Sequence, residues 1–174
     1  MDALILGLVC ALAAVGITVI TSFVVLRRSM KEDRLRREAL ALPSGARCFT
    51  GIYGSQTNAV LRRIARHAKA PFISTGLRFT MVVDQHAVSL WRGAEVPHPI
   101  LQIPTTAIRD VSTGSTGFGN SSFPTIFMGV TVDGRTFDLQ VRLANDKGVW
   151  NASMDELGEC ADQIRKYIPL SDGS

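Results

Sequence analysis

Residues 123–143, FPTIFMGVTVDGRTFDLQVRL, carry the clearest structural signal in this 174-residue chain. Asp133-Gly134 favours a two-residue turn between antiparallel strands, because both residues tolerate the positive φ that such a turn requires. After the turn, every second residue from Phe137 to Val141 is apolar, which is typical of a strand with one buried face. The segment therefore predicts a β-hairpin formed by Phe123–Val132 and Arg135–Leu143.

The hydrophobic period changes after this hairpin. Apolar residues recur every three or four positions, as they do on one face of an amphipathic helix. Asn151 or Ser153 is a suitable N-cap, and Pro169 would end the helix. We expect Trp150, like Trp91, to be a core or corner anchor rather than a ligand platform. The apolar stripe consists of Trp150, Met154, Leu157, Ala161, Ile164 and Ile168.

Short β-like segments separated by turn residues precede the hairpin. The glycine- and serine-rich segment 112–122, STGSTGFGNSS, lacks the ending of a phosphate-binding P-loop, so we expect a flexible connection between two sheets. Together with the hairpin, these segments give seven predicted strands. The five upstream strands are predicted at Arg47–Ser55, Phe72–Val83, Ala87–Arg92, Pro99–Ile103 and Ala107–Val111.

Seven strands followed by one helix suggest a mainly β fold, a pleckstrin-homology-like (PH-like) barrel of two near-orthogonal antiparallel sheets capped by a C-terminal α-helix. Three short motifs agree: Phe49–Gly54 (FTGIYG), Arg62-Arg63-Ile64, and Gly93-Ala94 followed by Leu101–Pro104 (LQIP). In these motifs the chain resembles small actinobacterial membrane proteins with one N-terminal span and a cytoplasmic PH-like domain. The resemblance implies fold and location but no activity, and segment 112–122 is longer than the family's loop.

An uncharged run occupies residues 3–26, ALILGLVCALAAVGITVITSFVVL. As a helix it would be about 36 Å long, enough to cross the hydrocarbon core of a bilayer. Lys and Arg follow it at once, which predicts a single-pass plasma-membrane protein with the N-terminus outside and the C-terminal domain in the cytoplasm. The alternative is a cleaved secretory signal, but no Lys or Arg precedes the run, which is also too long for a signal.

The segment after the apolar run is strongly charged. Its juxtamembrane basic residues are Arg27, Arg28, Lys31 and Arg34. The pairs Glu32–Arg36 and Asp33–Arg37 have helical spacing, so the segment is expected to be a helical or frayed, solvated stalk. The predicted organisation is an anchor (residues 1–26), a basic linker (27–45), a PH-like β domain (46–169) and a tail (170–174).

A second basic segment, Thr57–Lys69 (TNAVLRRIARHAK), lies between the first two predicted strands. Its apolar residues have helical spacing, and its other faces are basic without any acid. Such a helix can bind anionic phospholipid headgroups. The alternative is that its apolar face packs on the barrel and its cations are solvated. The candidate lipid-binding residues are Arg62, Arg63, Arg66, Lys69 and Arg78.

Other chemistry has little support in the sequence. Three cysteines without a CxxC pair, and three histidines without an HExxH pair, indicate neither a disulfide framework nor a metal site. The net charge of +4 comes without a nucleic-acid-binding module, so we expect no nucleic-acid partner and no cofactor. The sequence favours a non-catalytic, membrane-anchored adaptor that binds a protein partner, anionic lipid, or both. The alternative is a membrane-associated enzyme or transport subunit acting on a small molecule.

Overall fold

A single unbroken helix, α1 (Asp2–Ala39), joins the apolar run to the charged segment that follows it. The structure, a computed structural model, describes residues 2–118, 121–145, 148 and 150–168, apart from the side chains of residues 2–6 and 118. Pro169 and the expected tail lie outside the described residues. Over its 38 residues, α1 extends about 57 Å. Its apolar part is not buried and is long and apolar enough to cross a membrane. The expected helical stalk is confirmed.

Seven antiparallel strands form an open sheet in the order β4-β3-β2-β1-β7-β6-β5. β1 and β7 pair over only two residue positions, Gly51 with Leu143 and Ile52 with Arg142, so this seam joins a four-stranded part to a three-stranded part. The strands are β1 (Arg47–Ile52), β2 (Arg78–Val83), β3 (Ala87–Arg92), β4 (His98–Pro104), β5 (Ile108–Phe118), β6 (Ser121–Val132) and β7 (Arg135–Leu143). The helices are α1, α2 (Ser55–His67) and α3 (Met154–Arg165), with a short 3-10 turn at Thr105–Ala107.

The hairpin between β6 and β7 is confirmed, with positive φ at both Asp133 (48°) and Gly134 (74°). The second predicted strand was placed too early, because β2 begins at Arg78 rather than Phe72. Gly76 has φ +70°, and Thr75 is buried and bonded to Asn58, so the residues before β2 form a packed turn.

The expectation of a flexible connection at 112–122 is wrong for the residues that the structure describes there. β5 and β6 pair continuously to Phe118 and Ser121, and residues 119–120 lie outside the described residues. The Thr116 and Thr125 hydroxyls are 2.8 Å apart across the pair. Backbone pairing together with such cross-strand hydroxyl contacts stabilises a strand that is rich in small polar residues, although this composition is typical of loops.

One hydrophobic core lies on one side of the sheet, and both α2 and α3 contribute to it. α2 buries Leu61, Ile64 and Ala65 against the side of β7, which is the packing that the sequence left open as the alternative for the apolar face of Thr57–Lys69. α3 buries Leu157, Cys160, Ala161 and Ile164. The core residues from the strands include Phe79, Met81, Val88, Leu90, Ile126, Met128, Leu139 and Val141.

The C-terminal helix begins as predicted, with Ser153 as its N-cap. The Ser153 hydroxyl accepts a hydrogen bond from the Glu156 amide, and the Glu156 carboxylate accepts one from the Ser153 amide, which is a capping box. The predicted role of Trp150 as a core anchor is wrong. It precedes the helix, is 73% exposed, and therefore does not contribute to the apolar stripe. Trp91 is half-buried on β3.

Two glycine substitutions are expected to change stability in opposite directions. A β-carbon at Gly51 would overlap the Phe79 ring, so Gly51→Ala should lower the free energy of unfolding by about 1–3 kcal/mol. A β-carbon at Gly158, inside α3, meets open space, so Gly158→Ala should raise it by up to about 1 kcal/mol. Chemical denaturation of both variants measures the difference. Equal effects of the two substitutions would contradict the packing of β1 on β2.

Candidate functional site

The charged half of α1 packs on the outer face of β1 and β2, opposite the hydrophobic core, and reaches Gly93 after β3. Thr50 on β1 and Thr80 on β2 are direct partners across the two strands, and both side chains are buried beneath the helix. Ser29, Asp33 and Arg36 are the buried residues of α1. The contact is therefore polar on both sides, which hydrophobic periodicity does not reveal.

Asp33 is the centre of this contact. One carboxylate oxygen accepts a hydrogen bond from the Thr80 hydroxyl (3.0 Å), and the other accepts one from the Thr50 hydroxyl (2.7 Å). Arg36 donates to Asp33 (2.6 Å) and, through Nε, to Thr80 (2.7 Å). Arg37 donates to Thr50. Each threonine thus donates to the carboxylate while it accepts from an arginine of the same helix.

Arg36 also reaches beyond this cluster, because its Nη1 donates to the Gly93 carbonyl at 2.6 Å. Burial lowers the pKa of Arg36, and the negative charge of Asp33 opposes that change. A guanidinium with five donors remains charged in proteins, so Arg36 is a buried cation with a buried counterion. We call Asp33, Arg36, Arg37, Thr50 and Thr80 the junction cluster.

The predicted ion pairs of α1 are only partly correct. Asp33 and Arg37 pair at 3.2 Å, although the Arg37 Nε lacks hydrogen-bond geometry to the carboxylate. Glu32 pairs with Arg28 at 3.0 Å instead of Arg36, because Arg36 points to the sheet. The expectation of a solvated stalk is therefore wrong for the face that carries the junction cluster. Arg27, Arg28, Lys31 and Arg34 are exposed, as expected of juxtamembrane cations.

The basic residues of α2 lie on the exposed side of that helix. Arg63, Arg66 and Lys69 are exposed, and the Arg62 guanidinium lies 5.0 Å from the centre of the Phe72 ring. They line neither of the two grooves between α1 and the sheet, nor the groove beside Tyr53.

Arg78 does not join the α2 cations. It begins β2 beside α1, where it lines two grooves against that helix. Burial lowers its pKa, and Asp33 opposes this effect. Its Nη1 is buried with no hydrogen-bond partner among the described residues. Arg78 was expected beside the α2 cations because it is near them in the sequence, but its position at the start of β2 places it beside α1.

A groove of about 460 Å³ separates α1 from the loops that flank β2 and β3. Four arginines and one acid, Glu32, line it, and we call it the arginine groove. Arg92 is held beside the segment before β2, because its Nη1 donates to the Ser74 carbonyl at 2.9 Å. Its charged lining residues are Arg28, Arg36, Arg78, Arg92 and Glu32.

A second groove, of about 490 Å³, lies where β1 passes into α2, and we call it the β1–α2 groove. Tyr53, 44% exposed, is at its edge, and the Arg142 guanidinium stacks on Phe123 at 3.9 Å. Gln140 and Arg142 are among the residues that line it, and their buried Oε1 and Nε atoms have no hydrogen-bond partner within the described part of the chain. Buried polar atoms in folded proteins are nearly always hydrogen-bonded, so water or a bound group is expected to supply these partners.

The described residues contain no group of three or more His, Cys, Asp or Glu side chains that could hold a metal ion. All three cysteines are free thiols. Burial raises the pKa of Cys160, inside the core, and of Cys48, so both favour the neutral thiol. Comparisons with protein-family models, with curated proteins and with solved structures give no match to this chain.

The junction cluster was not predicted from the sequence, although the sequence contains a signal for it. Ser29, Asp33, Arg36 and Arg37 recur at helical spacing on one face of the charged segment. Thr50 and Thr80 each interrupt an apolar stretch of a predicted strand. Polar residues that recur at the spacing of a buried face indicate a buried, hydrogen-bonded contact.

Loss of the Asp33 charge is expected to disrupt the junction. Asp33→Asn leaves Arg36 buried without a counterion, which should lower the free energy of unfolding by about 3–5 kcal/mol. Chemical denaturation of the full chain in detergent micelles, followed by tryptophan fluorescence, measures the change.

Glu38→Gln is the matched control, because Glu38 pairs with Arg34 on the exposed face of the same helix. Exposed pairs contribute little to stability, so this variant should unfold at the wild-type midpoint. An Asp33→Asn midpoint equal to that of Glu38→Gln would show that the junction cluster does not hold α1 on the sheet.

Proposed function

We propose that this protein is a non-catalytic, single-span membrane adaptor whose cytoplasmic β domain is held at a fixed orientation beside the bilayer. The observation that carries the proposal is the continuity of α1, whose apolar end is free and whose charged end is buried on the sheet. A helix fixed at one end to a folded domain transmits its direction to that domain. A flexible linker would give the domain free rotation instead.

The proposed orientation follows from charge. In α1 the exposed cations Arg27, Arg28, Lys31 and Arg34 come directly after the apolar run, on the side of the β domain. Cations near a span stay on the cytoplasmic side, so the N-terminus lies outside and the β domain lies in the cytoplasm. The protein then belongs to the plasma membrane as an integral, single-pass component.

We also propose that the β domain is PH-like. The division of seven antiparallel strands into four and three, with a helix after the last strand, supports this assignment. Between β1 and β2 this chain carries α2, which covers part of the core and exposes its cations. Anionic lipid is the proposed partner of Arg62, Arg63, Arg66 and Lys69 on that surface.

A protein partner is proposed for the β1–α2 groove. Its lining combines the exposed Tyr53 ring, the Arg142–Phe123 stack and Gln140, whose side-chain oxygen has no hydrogen-bond partner within the described residues. Tyrosine and arginine are enriched at the centres of protein interfaces. Each side chain has an apolar part that a partner can bury and a polar end that can form a hydrogen bond. A peptide backbone offers both the donor and the acceptor that Gln140 and Arg142 lack.

Photo-crosslinking in cells tests the adaptor proposal. Tyr53 is replaced by p-benzoylphenylalanine, which keeps the aromatic ring, and the membranes are irradiated. A discrete adduct between this chain and another protein is expected, because position 53 is at the edge of the groove.

Trp150→p-benzoylphenylalanine is the control, since Trp150 is also aromatic and exposed but lies outside the groove. It should give no such adduct. The same adducts from both positions, or none from position 53, would contradict a protein partner in the β1–α2 groove. Extraction of the chain from membranes by alkaline carbonate would contradict the anchor itself.

A further inference from the structure

The arginine groove concentrates more positive charge than its own residues neutralise. Among the residues that line it, Glu32 is the one acid against four arginines, and it already pairs with Arg28. Arg36 is satisfied by the junction cluster, but the buried Nη1 of Arg78 has no partner within the described residues. An anion in the groove would balance the excess positive charge of these arginines.

The position of the groove restricts the source of that anion. Val25, at the end of the apolar run, and Arg28, at the start of the charged segment, both line it. In the proposed membrane orientation the groove therefore begins at the boundary of the hydrocarbon core. The headgroup layer is about 5–8 Å deep on each side of a bilayer, equivalent to roughly four or five helical residues. Arg28 falls within this depth.

The loops around the groove carry exposed apolar side chains. Leu77, which lines the groove, is 57% exposed, and Val96, in the loop after Gly93, is 66% exposed. Single exposed apolar residues are ordinary on protein surfaces. On loops that flank the end of a membrane span, they suit the boundary between headgroups and acyl chains.

We infer that the arginine groove binds the phosphate of an anionic phospholipid from the adjacent leaflet, with Arg28, Arg78 and Arg92 as its donors. The inference rests on the proposed membrane orientation and names the lipid site that the proposed function leaves open. Guanidinium groups suit phosphate because they donate two parallel hydrogen bonds. The α2 cations lack an enclosing groove, so they provide diffuse attraction rather than a site.

Lipid retention by the full chain in nanodiscs tests the inference. The chain is embedded in phosphatidylcholine mixed with phosphatidylglycerol, released, and weighed with its bound lipid by native mass spectrometry. The wild type should retain phosphatidylglycerol in preference to phosphatidylcholine. Arg92→Gln, on an exposed position, should reduce this preference about fivefold, and Arg78→Gln should add a similar reduction.

The double variant Arg62→Gln/Arg63→Gln is the control, because it removes the same charge from the exposed face of α2. It should lower the preference by much less than Arg92→Gln/Arg78→Gln does, because the α2 cations attract anionic lipid only diffusely. A loss as large as that of Arg92→Gln/Arg78→Gln would overturn the groove as the site. Arg92→Lys keeps the charge without the paired donors, so its preference for phosphatidylglycerol should lie between those of Arg92→Gln and the wild type. Circular dichroism shows whether each variant is folded.

A soluble phosphate ester offers the same chemistry as a lipid headgroup. Glycerol phosphate is therefore added to the chain in nanodiscs of phosphatidylcholine alone. Little binding is expected, because the groove opens towards the bilayer surface. Retention of glycerol phosphate as strong as that of phosphatidylglycerol would overturn a lipid source.

Failure of the lipid site and failure of the proposed function are distinguishable. If the chain resists alkaline carbonate extraction but shows no preference for phosphatidylglycerol, the lipid site is overturned and the adaptor proposal stands. If carbonate extracts the chain, the membrane orientation fails, and the inference fails with it.

Discussion

One carboxylate, that of Asp33, connects the long N-terminal helix to the β-sheet. Its two oxygens accept hydrogen bonds from hydroxyls on two adjacent strands, and both threonines also accept from arginines of the helix. The geometry is restrictive, because Asp33, Arg36 and Arg37 must face the sheet together. Helical spacing of three and four residues meets that condition only if the helix is unbroken at this point.

Polar contacts of this kind specify position more than they contribute stability. Two buried charges lose hydration, and their mutual attraction compensates only when the geometry is good and further hydrogen bonds are made. An apolar contact would tolerate sliding or rotation of the helix, whereas a carboxylate with three hydrogen-bond donors has one favourable arrangement. The junction cluster is thus suited to fixing the direction of α1 against the domain.

The fixed direction of α1 sets how two grooves lie relative to the bilayer. The arginine groove exists only because α1 forms one of its walls, with Arg36 bonded to the Gly93 carbonyl of the opposite wall. The β1–α2 groove is built from the sheet and α2 and contains no residue of α1. In the proposed function, the first faces the bilayer and the second faces the cytoplasm. The domain can then bind lipid and protein on separate surfaces.

Local patterns in the sequence predicted the strands and helices well, because most of them bury one apolar face. Asp133-Gly134, the basic helix Thr57–Lys69 and the cap at Ser153 were all found in this way. The β5–β6 hairpin was missed because serine, threonine and glycine resemble a loop until cross-strand pairing is known.

The candidate sites were less accessible to sequence reasoning. The charged segment of α1 reads as solvated, since nothing local shows that Thr50 and Thr80 lie opposite each other to receive it. Arg78 was grouped with the nearby basic helix, although its strand carries it to α1. Both errors concern contacts between residues far apart in the chain, which periodicity does not encode.

The rigidity of the junction is the claim on which this account depends, and a distance measurement in a bilayer tests it most directly. Nitroxide labels are placed at Arg34 on α1 and at Thr106 after β4, both exposed, in a chain whose Cys10 and Cys48 are replaced by serine. Pulsed electron paramagnetic resonance in nanodiscs should give one narrow distance distribution. A broad distribution, as expected for a domain on a flexible tether, would contradict the account.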